Sequence, residues 1–480
     1  MQKCFQWFGT PARPYYGRIW LLFFSYPAIL ALLVQLVILP YIFPTWNAGH
    51  GLLVGGDSIG YHRTATELAQ KIRIQGWSAW ELRPQGQSAA GIASAIYALT
   101  ISEPYMLIPL NAALHATSAM ILLLMIQKFL PGWRKAIWAV LPFWLYPSAM
   151  TWYTQVLKDG YFIAGMLLYL YGWVLISRNQ TWEKTGWRGL LAAIWIFLGA
   201  GLVWLVKPYG VQMMQGVGMA LALIVTIIFI FRLVKKDLKW YRALMPIVLA
   251  WALLIGINPL TNEGIIESEA PVTIQPQPAQ PQLIQPTELA QPAKPAQPEQ
   301  PVQPAQLPAV TARWQSSGWP SFIEDKAYSL SVTRDIYVAS NPVGAGGSID
   351  YTLQFHSVGE ILTYLPRAME IAFLSPFPNL WLGQGSLPAN TVMRRVSAFE
   401  MIGIYISLVL LPLAVWCWWR KPEFWIVLTF CTGMMLVYAL VVANVGTLYR
   451  YRYGFIMTLA ALGIAGGLSI WERRRKQAKG

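Results

Sequence analysis

Charge is what this sequence has least of. Only 12% of its 480 residues are Asp, Glu, Lys or Arg, roughly half the share of an ordinary water-soluble domain, so a fully hydrated surface cannot be built from it. Acidic residues are the scarcer sign, 21 against 36 basic ones, which leaves a net charge of +15. Three cysteines, Cys4, Cys417 and Cys431, supply neither a disulfide framework nor a thiolate zinc site. The four histidines, His50, His62, His115 and His356, lack zinc-ligand spacing, and no metal is expected. Residues 1–18 contain no small-residue cleavage pattern, which argues for a retained first helix. No internal repeat supports a transporter with two related halves, and almost no charge falls inside the apolar runs.

Those runs dominate what is present. Hydrophobic residues make up 56% of the chain, and stretches near the ~20 residues needed to cross a bilayer recur at 20–43, 105–127, 136–151, 160–177, 189–206, 211–231, 243–260, 398–418, 423–443 and 453–471. With the N-terminus in the cytoplasm, 21 of the 36 basic residues collect in six short inner segments, among them Arg134 and Lys135, Lys235 to Arg242, Arg420 and Lys421, and Arg473 to Lys476. The expectation is an all-α polytopic membrane protein with about ten transmembrane helices, extracytoplasmic interfacial helices and a small extracytoplasmic element. Both termini would face the cytoplasm of a bacterial inner membrane. The net positive charge then reflects topology and anionic headgroups, with no nucleic acid involved.

The chain divides into a cytoplasmic N-terminus (1–19), a transmembrane core (20–260) with a first outer loop at 44–104, a proline-rich linker (261–308), an extracytoplasmic element (309–397), C-terminal helices (398–471) and a basic tail (472–480). In the first loop, Ala65, Leu68, Ala69 and Ile72 recur at helical spacing, predicting an amphipathic helix along the membrane surface. The Ala-, Gly- and Ser-rich patch 88–101 is too short to span and reads as a re-entrant or interfacial helix. Eleven prolines between residues 271 and 308 make that stretch an extended spacer. Helices are expected in FIEDKAYSLSV (322–332) and at 357–373, with aromatic anchors in SPFPNLW (375–381).

Because acids are few, their positions are informative. Asp57 stands in GGDSIGYH shortly after the first span, where glycines let backbone approach a ligand; it, or Ser58, also suits a helix cap. Lys158 and Asp159, in TQVLKDG, fall on the same outer face, as a candidate pair or as a cap beside a snorkelling lysine. Basic residues on the outer side oppose the orientation rule and call for a reason. Lys207 in VKPYG, and Arg450 with Arg452 in NVGTLYRYRYG, suit a lipid-linked phosphate, although Tyr449, Tyr451 and Tyr453 equally fit an aromatic belt. Arg367, Arg394 and Arg395 are within helical reach of Glu370 and Glu400. His62 lies near Asp57 and either assists it or is an ordinary interfacial histidine. Gly463 and Gly467 fit close helix packing.

This pattern resembles the GT-C superfamily of membrane glycosyltransferases, which includes the protein O-mannosyltransferases, the lipid A aminoarabinose transferase and the bacterial RgtA-like enzymes. The matching features are the inner N-terminus, Asp57 just after the first span, interfacial helices behind it, Asp159 in the next outer loop, and Arg450 and Arg452 near the outer end of the last span. The match covers roughly 20–260 and 398–471, leaves out the linker and the element at 309–397, and has one acid in the first loop where protein mannosyltransferases have a pair. The resemblance implies inverting transfer of a sugar from a polyprenyl-phosphate donor to an extracytoplasmic glycan or glycoconjugate acceptor, alongside polysaccharide-assembly partners. Asp57 would be the general base, Asp159 would orient a cation or the acceptor, and Tyr61 and His62 would assist. Lys158, Lys207, Arg450 and Arg452 would neutralise the departing phosphate, leaving little need for a metal. Two rival readings are a polymerase or ligase of lipid-linked oligosaccharides, resting on Arg313, Arg334, Arg367, Arg394 and Arg395, and a non-enzymatic scaffold or export component.

Overall fold

The computed structural model describes residues 15–178, 187–235, 239–261, 314–340, 347–385 and 387–478. The proline-rich stretch 271–308, Cys4 and Arg313 lie outside the described residues. Among the described residues the secondary structure is helical, with two isolated β-bridges.

α1 (Tyr15–Leu33) continues as a π-helical stretch (Val34–Ile42) and is followed by α2 (Ser58–Gln75), α3 (Ser88–Leu99), α4 (Ile108–Phe129), α5 (Trp133–Leu145) and α6 (Pro147–Tyr153). Next come α7 (Asp159–Ser177), α8 (Trp187–Val206), α9 (Pro208–Val234) and α10 (Trp240–Ile257). Beyond the linker lie α11 (Ser321–Ser340), α12 (Val358–Leu374), α13 (Pro388–Val409), α14 (Leu411–Trp418), α15 (Pro422–Val441) and α16 (Val445–Gln477). Pro147, Pro208, Pro388 and Pro422 open α6, α9, α13 and α15, at the first-turn position where a missing N–H costs nothing.

Nine helices among the described residues are long and apolar enough to cross a membrane, and the protein is a multi-pass membrane protein. Large aliphatic side chains lie outermost, with Ile227, Ile255 and Val409 each more than 60% exposed, as a lipid solvent requires. The tenth expected span, 136–151, is not one helix. Tyr146 takes extended backbone (φ −62°, ψ 124°) because the residue before a proline is driven out of the helical region, so the run breaks into α5 and α6. The two pieces still run from one end of the bundle to the other. At one end Lys135 pairs with Glu472; at the other, Asn111 Nδ2 donates to the carbonyls of Tyr153 and Gln155, both at 3.1 Å.

The ends of the bundle differ in charge. Lys135 and Glu472, Lys421 with its Nζ 3.2 Å from the Lys128 carbonyl oxygen, and nearby Arg178 mark a cationic end. α7 is buried along nearly its whole length at the centre of the bundle and meets α8 through glycines, with Gly165 and Gly199 packed backbone against backbone. α2 and α3 form a pair at the opposite end. The Ala65, Leu68, Ala69 and Ile72 face of α2 is buried, as its spacing predicts, and Ala65 and Ala69 pack with Ala89, Ala90 and Ala93 of α3 in a small core of their own. α3 has 12 residues, about 18 Å, and cannot span. α11 and α12 are the expected helices of the 309–397 element and rest on α15.

Candidate functional site

At the end opposite Lys135 and Lys421, three segments distant in sequence converge. Gln155, in the turn before α7, accepts through Oε1 from the Leu53 amide (3.0 Å) and the Ser58 hydroxyl (3.2 Å), and donates through Nε2 to the Gly51 carbonyl (3.2 Å). Gly51 has to be glycine. Its φ is +70°, and a Cβ there would lie 2.5 Å from the Gln35 carbonyl oxygen. Gln35 itself is buried and donates to the Thr154 carbonyl, so the end of α1, the first loop and the turn before α7 form one bracket. That bracket fixes the position of Asp57.

Asp57 occupies the N-cap position of α2, yet its side chain makes no capping bond. It faces Arg450 instead, Oδ2 lying 3.5 Å from Nη2, while Asp159 Oδ1 lies 3.2 Å from Nε of the same guanidinium. The Asp159 side chain is 2% exposed and that of Asp57 is 56% exposed, so Arg450 runs from a buried anion to one at the surface. Asp57 and Arg450 border a cleft of about 530 Å³, a volume within the range of small-molecule sites, and Asp159 lies buried behind Arg450. Its walls are the loop 53–58, residues of the Ser148–Leu157 stretch, part of the segment 376–397 and the start of α16. Arg394 stands in the 376–397 wall, its Nη1 donating to the Gln384 carbonyl (3.0 Å).

No family model, curated protein or solved structure matches the chain.

The other sequence-predicted residues are placed less uniformly. Tyr61 is buried on α2, close enough to Arg450 for the two to interact electrostatically. His62 turns to Tyr97 (Nδ1 to Oη, 3.0 Å), and its ring lies 5.0 Å from that of His50, which pairs with Glu103. Lys158 is buried one residue before Asp159. Lys207 is fully buried, its Nζ 3.3 Å from the centroid of the Tyr451 ring and 4.8 Å from that of Phe162. Arg452 is also fully buried and donates to the carbonyls of Ile371 and Ala372 on α12, away from the two aspartates. The tyrosines of α16 form no surface belt. Tyr449 donates to Glu400, Tyr451 lies under Lys207, and Tyr453 donates to the Phe143 carbonyl (2.9 Å).

Helix ends account for several cations at this end of the bundle. The last carbonyls of a helix have no partner within it and favour positive charge. Arg452 serves the end of α12, Arg334 the end of α15 through the Leu440 carbonyl (2.8 Å), Arg83 the end of α8 through that of Trp204 (2.7 Å), and Arg73 the end of α3 through that of Thr100 (3.0 Å). Arg367 pairs with Asp350 and, as its spacing predicts, with Glu370. Among the described residues, Arg394 and Arg450 are the arginines that line the cleft.

Sequence reasoning passed over Gln155 and misjudged Glu400. Glu400 does not pair with Arg394 or Arg395. It turns inward, Oε1 accepting from the Ser148 amide (2.7 Å) and Oε2 from the Ser148 and Tyr449 hydroxyls. A signal was available, since Glu400 is the only charged residue between Arg395 and Arg420, in the middle of an apolar run.

Proposed function

We propose that this chain is a membrane glycosyltransferase of GT-C type that moves a sugar from a polyprenyl-phosphate donor to a hydroxyl of an extracytoplasmic glycan or glycoconjugate. The observation that carries the reading is that Asp57 and Arg450 line one cleft, with the buried Asp159 paired to Arg450 behind it, at the end of the bundle opposite Lys135 and Lys421. Taking the cationic end as cytoplasmic follows the positive-inside rule and puts both termini inside and the cleft outside.

The chemistry requires a base, a cation for the leaving group, and alignment. Asp57, the exposed acid, takes the proton of the acceptor hydroxyl as that oxygen attacks the anomeric carbon. The bond from that carbon to the phosphate oxygen breaks from the opposite face, with inversion, and the lipid phosphate leaves with the electron pair. Its charge develops against Arg450 and Arg394, whose guanidinium forks match phosphate oxygens. At ~4 Å and an effective dielectric near ~20, each contact is worth up to ~4 kcal/mol before desolvation. Asp159, buried beneath Arg450, holds that cation in place. Lys158, Lys207 and Arg452, buried within the fold, supply positive potential and support instead of direct phosphate contact.

Arg394 also belongs to the polymerase or ligase reading, but two of its companions, Arg334 and Arg367, are engaged by backbone carbonyls and carboxylates. A scaffold role is separable by deleting residues 271–308, which a transferase should survive and a scaffold should not. The direct test is transfer from labelled polyprenyl-phosphate sugars by the full chain in nanodiscs. Asp57→Asn is expected to abolish turnover without lowering the melting temperature, and wild-type rates in that variant would sink the mechanism.

A further inference from the structure

The cleft has a second polar region that the mechanism does not use. Ser148 and Tyr449 line it, and behind them Glu400, only 4% exposed, accepts three hydrogen bonds: from the Ser148 amide (2.7 Å), the Ser148 hydroxyl and the Tyr449 hydroxyl (2.5 Å). The Ser148 and Tyr449 hydroxyls both direct their hydrogens at Glu400 Oε2. Both oxygens are then left with lone pairs alone for anything in the cleft. Other lining hydroxyls are committed in the same sense. Ser58 donates to Gln155 Oε1, Thr151 to the Ser148 carbonyl (2.6 Å), and Ser397 to the Arg394 carbonyl (2.8 Å). Gln155 leaves no ambiguity about its own orientation, because its Nε2 faces two carbonyls and its Oε1 faces an amide N–H.

Within the cleft these groups differ in hydrogen-bond polarity. Arg450 and Arg394 offer donors and positive charge, while the floor of Ser148 and Tyr449 offers acceptors. A ligand that satisfies both must carry an anionic group at one end and several O–H or N–H donors close to it. Tyr449 and Arg450 line the same cleft of about 530 Å³, so the anion and the donors must both fit within that volume. We infer that the Ser148–Glu400–Tyr449 cluster is the subsite that reads the hydroxyl or amino groups of the sugar directly attached to the lipid phosphate. The inference rests on the transferase reading for the identity of the anion, and it deepens that reading by assigning the sugar-recognition residues.

The break between α5 and α6 serves this arrangement. Ser148 is the second residue of α6, where the backbone N–H has no helical partner, and Glu400 accepts it. An unbroken helix would bond that amide internally and turn Ser148 away from Glu400.

The test is equilibrium binding to the full chain in nanodiscs, independent of turnover. The probes are bare undecaprenyl phosphate and undecaprenyl phosphate bearing glucose, mannose or galactose. Wild type is expected to bind at least one sugar-bearing lipid more tightly than the bare lipid. Ser148→Ala and Tyr449→Phe should each reduce that preference roughly tenfold, the loss of one well-made acceptor, while affinity for the bare lipid changes less than threefold. Tyr449→Phe keeps the ring against Trp152 and so guards against a folding artefact. A wild type that binds bare and sugar-bearing lipids equally, or variants that retain the full preference, would overturn the assignment. Loss of affinity for the bare lipid in parallel would also overturn it, by placing the cluster under the phosphate. If preference falls as expected while Asp57→Asn still turns over, the subsite stands and the catalytic reading fails.

Discussion

Arg450 and Arg452 are two residues apart, both basic and both near the same helix end, and the fold gives them different work. Arg450 faces two carboxylates at a cleft; Arg452 is buried against the last carbonyls of α12. Substituting Arg450→Met should therefore abolish transfer and also lower the melting temperature, because Asp159 is left as a buried carboxylate without its cation. Arg452→Met should destabilise the protein by about 1–3 kcal/mol, because the carbonyls it serves are left unsatisfied in the interior. Thermal unfolding in detergent alongside a transfer assay checks both. A second residue-scale prediction concerns acid. Burial, reinforced by His50 and opposed by Glu103, lowers the His62 pKa to about 4 from its ordinary 6.5. The folded state then resists protonation that the unfolded chain accepts, so this contribution to stability is complete above pH 6.5 and is lost as pH falls from 6.5 towards 4. His62→Gln should flatten the pH dependence of the melting temperature across that window. An unchanged slope would show that His62 is not the titrating group.

Among the elements, close backbone contact does what side chains do elsewhere. A Cβ on Gly199 would lie 2.5 Å from the Gly165 carbonyl oxygen and from the Tyr169 amide nitrogen, where only backbone could yield. Gly199→Ala is therefore expected to cost about 1–3 kcal/mol by overpacking, read as a lower unfolding temperature, whereas Gly201→Ala, with nothing within 4 Å of its Cβ, should be neutral. Gly463 behaves like Gly199, since its Cβ would meet the Ser407 carbonyl; Gly467, its expected partner in packing, meets only the Leu410 side chain at 3.4 Å, and Gly466 is the closer neighbour, against Ala414. Most element boundaries were readable in advance because prolines and helical apolar spacing act locally. The proline at 147 was visible too, but an apolar run of sufficient length reads as one span until the backbone at Tyr146 is known.

For the molecule as a whole, the clustering of basic residues in short segments of the sequence leads to a topological prediction. In a cysteine-free background, Asp57→Cys should react with a membrane-impermeant thiol reagent applied to intact cells, and Arg420→Cys should react only after the membrane is opened. Reaction in the reverse order would invert the orientation and place the cleft in the cytosol. The sequence by itself determined the solvent, most of the membrane-length helices and the clustering of positive charge, because hydropathy and charge are sums over neighbouring residues. Helix periodicity likewise settled which face of α2 is buried. What covers that face, which of the arginines near the cleft reach it, and where Glu400 points were decided by the tertiary structure. Those outcomes depend on which helix ends and which hydroxyls lie within about 3 Å of a side chain, and residues such as Asp57, Asp159 and Arg450 meet only once helices far apart in the chain have packed.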